Sequence, residues 1–294
     1  RKTLKCPNGI VLGTPGSGKS FFAKREMANA FFATPDHILI LDPENEYTAL
    51  TEQLHGQTIY LAPDSHSYLN PMDLDLSTDV GESPMLMQAD FLLSQCELMM
   101  ASYGNPLMPI EKSLIDRCIS LVYRDYLKNP RPENMPILGD LYQCLREQHN
   151  SRADDLATAM EIYVTGSLSY LNHRTNVDLN NRMVCYNISK LGQGLKKLVM
   201  SNVQKHIWQR TAVNRYAGIT TRIFLDEFHL LLKEPQTAAY TAEIYKRFRK
   251  WNGIPTSLTQ NVKDLLDSSE IENILENSDF VLMLNQGASD RNIL

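Results

Sequence analysis

The chain has no apolar run approaching the roughly 18 residues of a membrane-spanning helix, which excludes a helical span within it. It has no low-complexity tract and no internal repeat, so repeat and disordered classes drop out. Cysteine is sparse. Cys6, Cys96, Cys118, Cys144 and Cys185 are odd in number, widely scattered and contain no C-x-x-C pair. That pattern fits buried free thiols in a reducing cytosol rather than a disulfide framework. The seven histidines show no metal-site spacing. Positive charge is also in deficit, with 29 Lys and Arg against 34 Asp and Glu and a net charge of −5. This counts against a broadly basic nucleic-acid surface and leaves open only a local basic lining. What remains is an ordinary globular composition, 43% hydrophobic and 21% charged. The 294 residues suffice for one large or two modest domains. The chain starts at Arg1 rather than Met, with no signal-peptide pattern, and a piece of a longer protein is expected.

Against that background one stretch stands out, Gly13-Thr14-Pro15-Gly16-Ser17-Gly18-Lys19-Ser20, which fits G-x-x-x-x-G-K-[ST] at every defined position. A glycine-rich turn lets successive backbone N–H groups point at phosphate oxygens, an approach that side chains would block. Lys19 can reach the β- and γ-phosphates, and the Ser20 hydroxyl can ligate Mg²⁺. The flanks agree with the motif. Ile10-Val11-Leu12 reads as a buried strand, and Phe21 to Phe32 as a helix apolar nearly all round and therefore buried, whose positive end faces the phosphates. Thr14 through Phe21 therefore form the expected nucleotide-binding segment.

Further strands are expected at Ile38–Leu41, Thr58–Leu61, Arg182–Ile188, Arg222–Glu227, Thr256–Gln260 and Asp279–Leu284. Helices are expected over Gly194–Arg215, Ala238–Trp251 and Val262–Glu276. Alternating strands and helices specify an α/β fold with a mainly parallel sheet flanked by helices. Between about Asp79 and Tyr170 the texture changes to helices alone: Met85–Tyr103, Ile110–Lys128, Ile137–Gln148 and Asp154–Val164. The organisation expected is a nucleotide-binding domain over 1–78 and 171–294, with an all-α insertion over 79–170. Its Met and Leu stripes read as helix core.

Hydrolysis needs a metal ligand and a way to orient water. Ile223-Phe224-Leu225-Asp226-Glu227 offers both. Asp226 at the carboxyl end of a buried strand can hold the Mg²⁺ shell, and Glu227 can polarise the attacking water. The 207 positions between Lys19 and Asp226 (226 − 19) exceed one simple crossover, and the helical insertion accounts for the excess. Gln260, ending a strand expected beside that of Asp226, is a candidate sensor of the γ-phosphate or water. Asp42 and Glu46 at another strand end could act behind the metal or cap the next helix. His229 reads as packing or a local hydrogen bond. Two basic clusters offer an arginine finger in trans, namely Arg247 and Arg249 within Lys246–Lys250, and Arg174 or Arg182. A solvated helix face is the competing reading of the first.

Several segments together resemble the large ATPase of type IV secretion and conjugation systems, the family of TraC, TrbE and the fourth VirB protein. They are Asn8 to Phe21, Asp42-Pro43-Glu44-Asn45-Glu46-Tyr47, Leu69-Asn70-Pro71, Thr175-Asn176-Val177-Asp178, Leu225-Asp226-Glu227-Phe228-His229 and Thr259-Gln260-Asn261. They span nearly the whole chain in the family's order. The resemblance implies a RecA-like core of the HerA/FtsK group, the carboxyl-terminal ATPase half of such a protein. It implies Mg²⁺-dependent conversion of ATP to ADP and phosphate, powering channel or pilus assembly or substrate movement. It further implies a hexamer whose sites are completed by a neighbour's arginine, and other secretion components, including the coupling ATPase, as partners at the cytoplasmic face of the inner membrane. Family members usually continue beyond the last strand, so the hexamer interface of this chain, which can be monomeric alone, is in question. A DNA-translocating motor of the same superfamily and an ATP-binding assembly scaffold with little turnover are the alternatives. Steeply salt-dependent DNA stimulation would mark the first, and negligible hydrolysis the second.

Overall fold

The computed structural model describes residues 4–76, 83–101, 106–260, 265 and 269–287. They form two compact units. One comprises Arg1–Tyr60, Asp178–Ser189 and Val203–Leu294; the other comprises Leu61–Val177 and Lys190–Asn202. The helical unit thus starts earlier than the composition change near Asp79, and it takes in a segment after the fourth strand.

The first unit is built on a seven-stranded sheet. Its strands are β1 (Gly9–Leu12), β2 (His37–Asp42), β3 (Gln57–Tyr60), β4 (Met183–Asn187), β5 (Thr221–Leu225), β6 (Gly253–Thr259) and β7 (Phe280–Met283). Their order is β3-β4-β2-β5-β6-β1-β7, and each adjacent pair is parallel. The inner strands are buried almost throughout, as apolar runs in β1, β2 and β4 and with buried Thr256, Ser257 and Thr259 in β6, because helices cover both faces of a parallel sheet. The edge strand β7 alternates between half-buried and exposed residues. Register does the positioning. Leu12 lies opposite Thr259, and Leu225 lies opposite both Leu41 and Ser257. The carboxyl ends of β1, β6, β5 and β2 therefore finish together.

Helix α1 (Lys19–Ala33) returns across one face of the sheet. Ala23, Met27 and Ala30 recur on one side of the helix and pack with Val11, Ile38 and Phe224. The expectation that this helix is buried all round is not met, since Phe21 and Phe32 are 72% and 77% exposed. A helix lying on a sheet hides only the row facing it, and small residues in that row bring it close. Other helices of this unit are α2 (Thr48–Gln53), the helix that follows Asp42 and Glu46, and α8 (Pro235–Phe248). The helix expected over Val262–Glu276 falls partly on residues 262–264 and 266–268, outside the described residues, and Ile271–Glu276 is helical (α9). Trp208, Tyr240, Phe248 and Trp251 stack into an aromatic cluster, with Trp208 ring centroids 5.0–5.5 Å from the other three.

Side-chain clips fix the strand starts. Asn8 Nδ2 donates to the carbonyls of Tyr245 (2.9 Å) and Asn277 (2.7 Å). Arg222 Nε donates to Asp36 Oδ2 at 2.9 Å, with Glu26 3.4 Å from its guanidinium. Arg182, one of the finger candidates, donates to the carbonyls of Phe31, Thr34 and Asp36 and covers the Phe31 ring.

The second unit contains α3 (Pro84–Ala101), α4 (Pro109–Lys128), α5 (Leu138–Arg146) and α6 (Ser151–Val164). Helix α7 (Gln193–Tyr216) contributes residues 193–202 here and 203–216 to the first unit. Two sequence motifs without an evident task meet inside it. The Asn70 N–H donates to Thr175 Oγ1 and the Tyr68 N–H to Asn176 Oδ1, both at 2.8 Å. Asn176 Nδ2 donates to His66 O at 2.7 Å, and Asn70 Nδ2 to Pro136 O at 2.8 Å. Leu69-Asn70-Pro71 and Thr175-Asn176 thus fasten the incoming chain to the outgoing one.

His206 is buried on α7, and its Nε2 has no hydrogen-bond partner. Burial, reinforced by the charge of Lys205, pushes its pKa from 6.5 down to about 3. A histidine that folds neutral contributes stability fully present above its unfolded pKa and lost as pH falls toward the folded value. The difference in urea stability between wild type and His206→Leu should therefore shift by roughly 1.4 kcal/mol per pH unit below about pH 6.5. Parallel pH profiles would show that the imidazole is not buried neutral.

Candidate functional site

The loop from Gly13 to Ser20 leaves the carboxyl end of β1 and runs into α1. Its frame is fixed to the neighbouring strands: the Gly13 N–H donates to Thr259 O at 3.3 Å and the Thr14 N–H to Asn285 O at 2.9 Å. Gly16 and Gly18 sit at φ +73° and +97°, where side chains are strained. A Cβ at either position would meet nothing within 4 Å, so both glycines border open space. Ser17 Oγ is buried without a partner. An open cradle, an unpaired hydroxyl and the amino end of a 15-residue helix form an arrangement that a phosphate chain satisfies. Lys19 is 8% exposed and turns back on the loop, donating to Gly13 O at 2.7 Å and Thr14 O at 3.3 Å. Phe21 follows on the first helical turn with its ring exposed.

Two strand spacings away, roughly 10 Å, the chain leaves β5. The Asp226 N–H still donates to Leu41 O at 3.2 Å, extending the ladder by one residue. Asp226 Oδ1 accepts from the Glu227 N–H (2.9 Å), and Oδ2 accepts from the Tyr47 hydroxyl (3.1 Å). Burial, with the charges of Glu227 and Glu46, lifts the Asp226 carboxyl to about 7 against these two hydrogen bonds. Glu227 is left-handed at φ 46°, ψ 46°, a costly backbone for a non-glycine residue that turns the chain abruptly off the strand. Its Oε1 accepts from Gln260 Nε2 at 2.9 Å, and its Oε2 lies 3.2 Å from His229 Nδ1. His229 in turn lies 3.3 Å from Thr259 Oγ1. His229 therefore makes a local contact with the Glu227 carboxylate.

The fold thus brings Asp226, Glu227 and Gln260 into one cluster and sets the phosphate loop at the same edge of the sheet. Two of the candidate arginines lie elsewhere on this unit. Arg247 pairs with Glu243 and covers the Trp208 ring, and Arg249 donates to Cys6 Sγ at 3.2 Å. Both stand where the chain enters β6, at the amino end of that strand. Arg174 belongs to the helical unit and donates to Met135 O at 3.1 Å.

Asp42 proves to be structural. It is fully buried, and its two oxygens accept the N–H groups of Glu46 and Tyr47 at 2.9 Å each, just ahead of α2. Tyr47 is the residue that sequence reasoning passed over. Its signal was an aromatic hydroxyl closing an acidic turn after a strand that neighbours β5. Among the described residues no cluster of three or more His, Cys, Asp or Glu could hold a metal unaided. The oxygen donors Ser20 and Asp226 suit Mg²⁺, which takes few protein ligands and completes its shell with phosphates and water.

A profile of the TraG P-loop domain family matches residues 1–292, and the chain belongs to that family. No curated protein sequence matches significantly. Among solved structures, VirB4 of Thermoanaerobacter pseudethanolicus is similar at 24% identity and a TM-score of 0.85, over 97% of this chain and 79% of that one. The plasmid coupling protein TrwB with the GTP analogue GDPNP is similar at 14% identity and a TM-score of 0.61, over 93% and 69%. TrwB with ADP and Mg²⁺ gives 13% and 0.61, over 97% and 72%. These likenesses establish the P-loop NTPase fold. Among the described residues no helix is long and apolar enough to cross a membrane.

Gly18→Ala places a methyl on a left-handed backbone at a cost of about 1–2 kcal/mol. We expect a lower urea midpoint and nucleotide binding weakened roughly tenfold, which is 1.4 kcal/mol. A variant with unaltered midpoint and affinity would contradict this geometry.

Proposed function

We propose that this TraG-family P-loop domain is a Mg²⁺-dependent ATPase whose turnover powers a type IV secretion or conjugation machine. The observation that carries the reading is the joint placement, at one edge of one sheet, of the phosphate loop, buried Asp226 and the Glu227–Gln260 pair. TrwB binds GDPNP in one structure and ADP with Mg²⁺ in another, which supports it by likeness.

In this reading the backbone N–H groups between Thr14 and Ser20 hold the phosphates. Lys19 exchanges the carbonyls of Gly13 and Thr14 for phosphate oxygens. Ser20 and Asp226 would hold Mg²⁺, which neutralises developing phosphate charge. Glu227 orients a water and accepts its proton as oxygen attacks the γ-phosphorus, leaving ADP and phosphate. Gln260 already grips that carboxylate, so it can couple the state of the γ-phosphate to the freedom of Glu227. Arg247 and Arg249, at the amino end of β6, and Arg174, on the helical unit, remain candidates to complete a neighbour's site in a hexamer. Secretion components, the coupling ATPase among them, are the proposed partners at the cytoplasmic face of the inner membrane.

Titration and phosphate release test the assignment. Lys19→Ala should lose ATP affinity. Glu227→Gln should keep it and turn over on the order of 10²-fold more slowly, within the range for losing a general base. Unchanged affinity in the first variant, or unchanged turnover in the second, removes that residue from its role. Turnover that rises with assembly across a concentration series would support a site shared between subunits.

A further inference from the structure

We propose that Tyr47 is a positioning residue that fixes the orientation of the Asp226 carboxylate for the metal-bound nucleotide. This rests on the ATPase reading above. The phenol is fully buried and its hydroxyl lies 3.1 Å from Asp226 Oδ2. With the Glu227 N–H on Oδ1, both carboxylate oxygens are tied, one from each side. A carboxylate has about four acceptor positions, so two remain to face a cation while rotation is blocked.

Tyr47 is itself held rigidly. Asp42 Oδ2 accepts its N–H at 2.9 Å. Its carbonyl accepts from the N–H and the hydroxyl of Thr51, each at 3.0 Å. Lys24 Nζ stands 5.7 Å from the ring centroid, one helical turn beyond Ser20. The ring therefore joins three parts of the site: the strand turn closed by Asp42, the helix that carries Ser20, and Asp226. A phenol, with an ordinary pKa of about 10, is a donor at physiological pH. Simple core packing would need the ring alone, whereas the hydroxyl is aimed at a single acceptor.

Tyr47→Phe separates the two roles, because it keeps the ring and removes the donor. The measurement is ADP affinity of the full chain by calorimetry, in EDTA and across a Mg²⁺ series, with thermal unfolding in parallel. We expect ADP affinity in EDTA to match wild type and the half-saturating Mg²⁺ concentration to rise about tenfold, the lower end for losing a partner behind a metal ligand. An unchanged Mg²⁺ requirement in the folded variant overturns the proposal. So does an equal loss of affinity with and without Mg²⁺, which would make Tyr47 merely structural. If wild type itself shows no Mg²⁺-dependent ADP binding, the ATPase reading fails first, and that outcome is distinguishable from either of these.

Discussion

A carboxylate inside an apolar interior is costly unless it is hydrogen-bonded or meets a counter-charge. The surroundings of Asp226 are organised by that cost. Burial lifts its pKa to about 7, and two donors on opposite oxygens keep it oriented. Neither donor is an accident of the surface. One comes from a backbone twisted into the left-handed region at Glu227, the other from a tyrosine locked by Asp42. The strained turn and the acidic turn after β2 thus serve the same carboxylate from two strands.

The parallel register supplies the second constraint. Because β6 lies between β1 and β5, the segments leaving these three strands end side by side. The loop at Gly13 hangs on the last residue of β6 and on Asn285 past β7. Distortion at either attachment would be felt at the phosphate cradle. The helical unit is fastened by another logic. Asparagine and threonine side chains replace strand pairing there and tie segments more than 100 residues apart.

Much of this was legible in the sequence. Apolar runs marked β1, β2, β4 and β5, because a sheet covered on both faces leaves little polar alternation to confuse them. The phosphate loop was explicit, and the long interval before Asp226 announced helices in between. Other features were hidden for physical reasons. Whether Phe21 and Phe32 point inward depends on which row of α1 meets the sheet, and both sides of that helix are apolar. The start of the second unit at Leu61 follows contacts that no composition change records. Asn70 and Asn176 look like ordinary polar loop residues until their partners are in place. Tyr47 and Asp226 are far apart in the chain, and only the pairing of β2 with β5 makes them neighbours.

The folded-back Lys19 also bears on the shape of the loop. Its ammonium reaches Gly13 O and Thr14 O from the first residue of α1, so one side chain spans the turn from end to end. Gly16 and Gly18, the two left-handed residues, lie inside that span. The most permissive part of the backbone is thereby held between two fixed ends, one at the exit of β1 and one on α1.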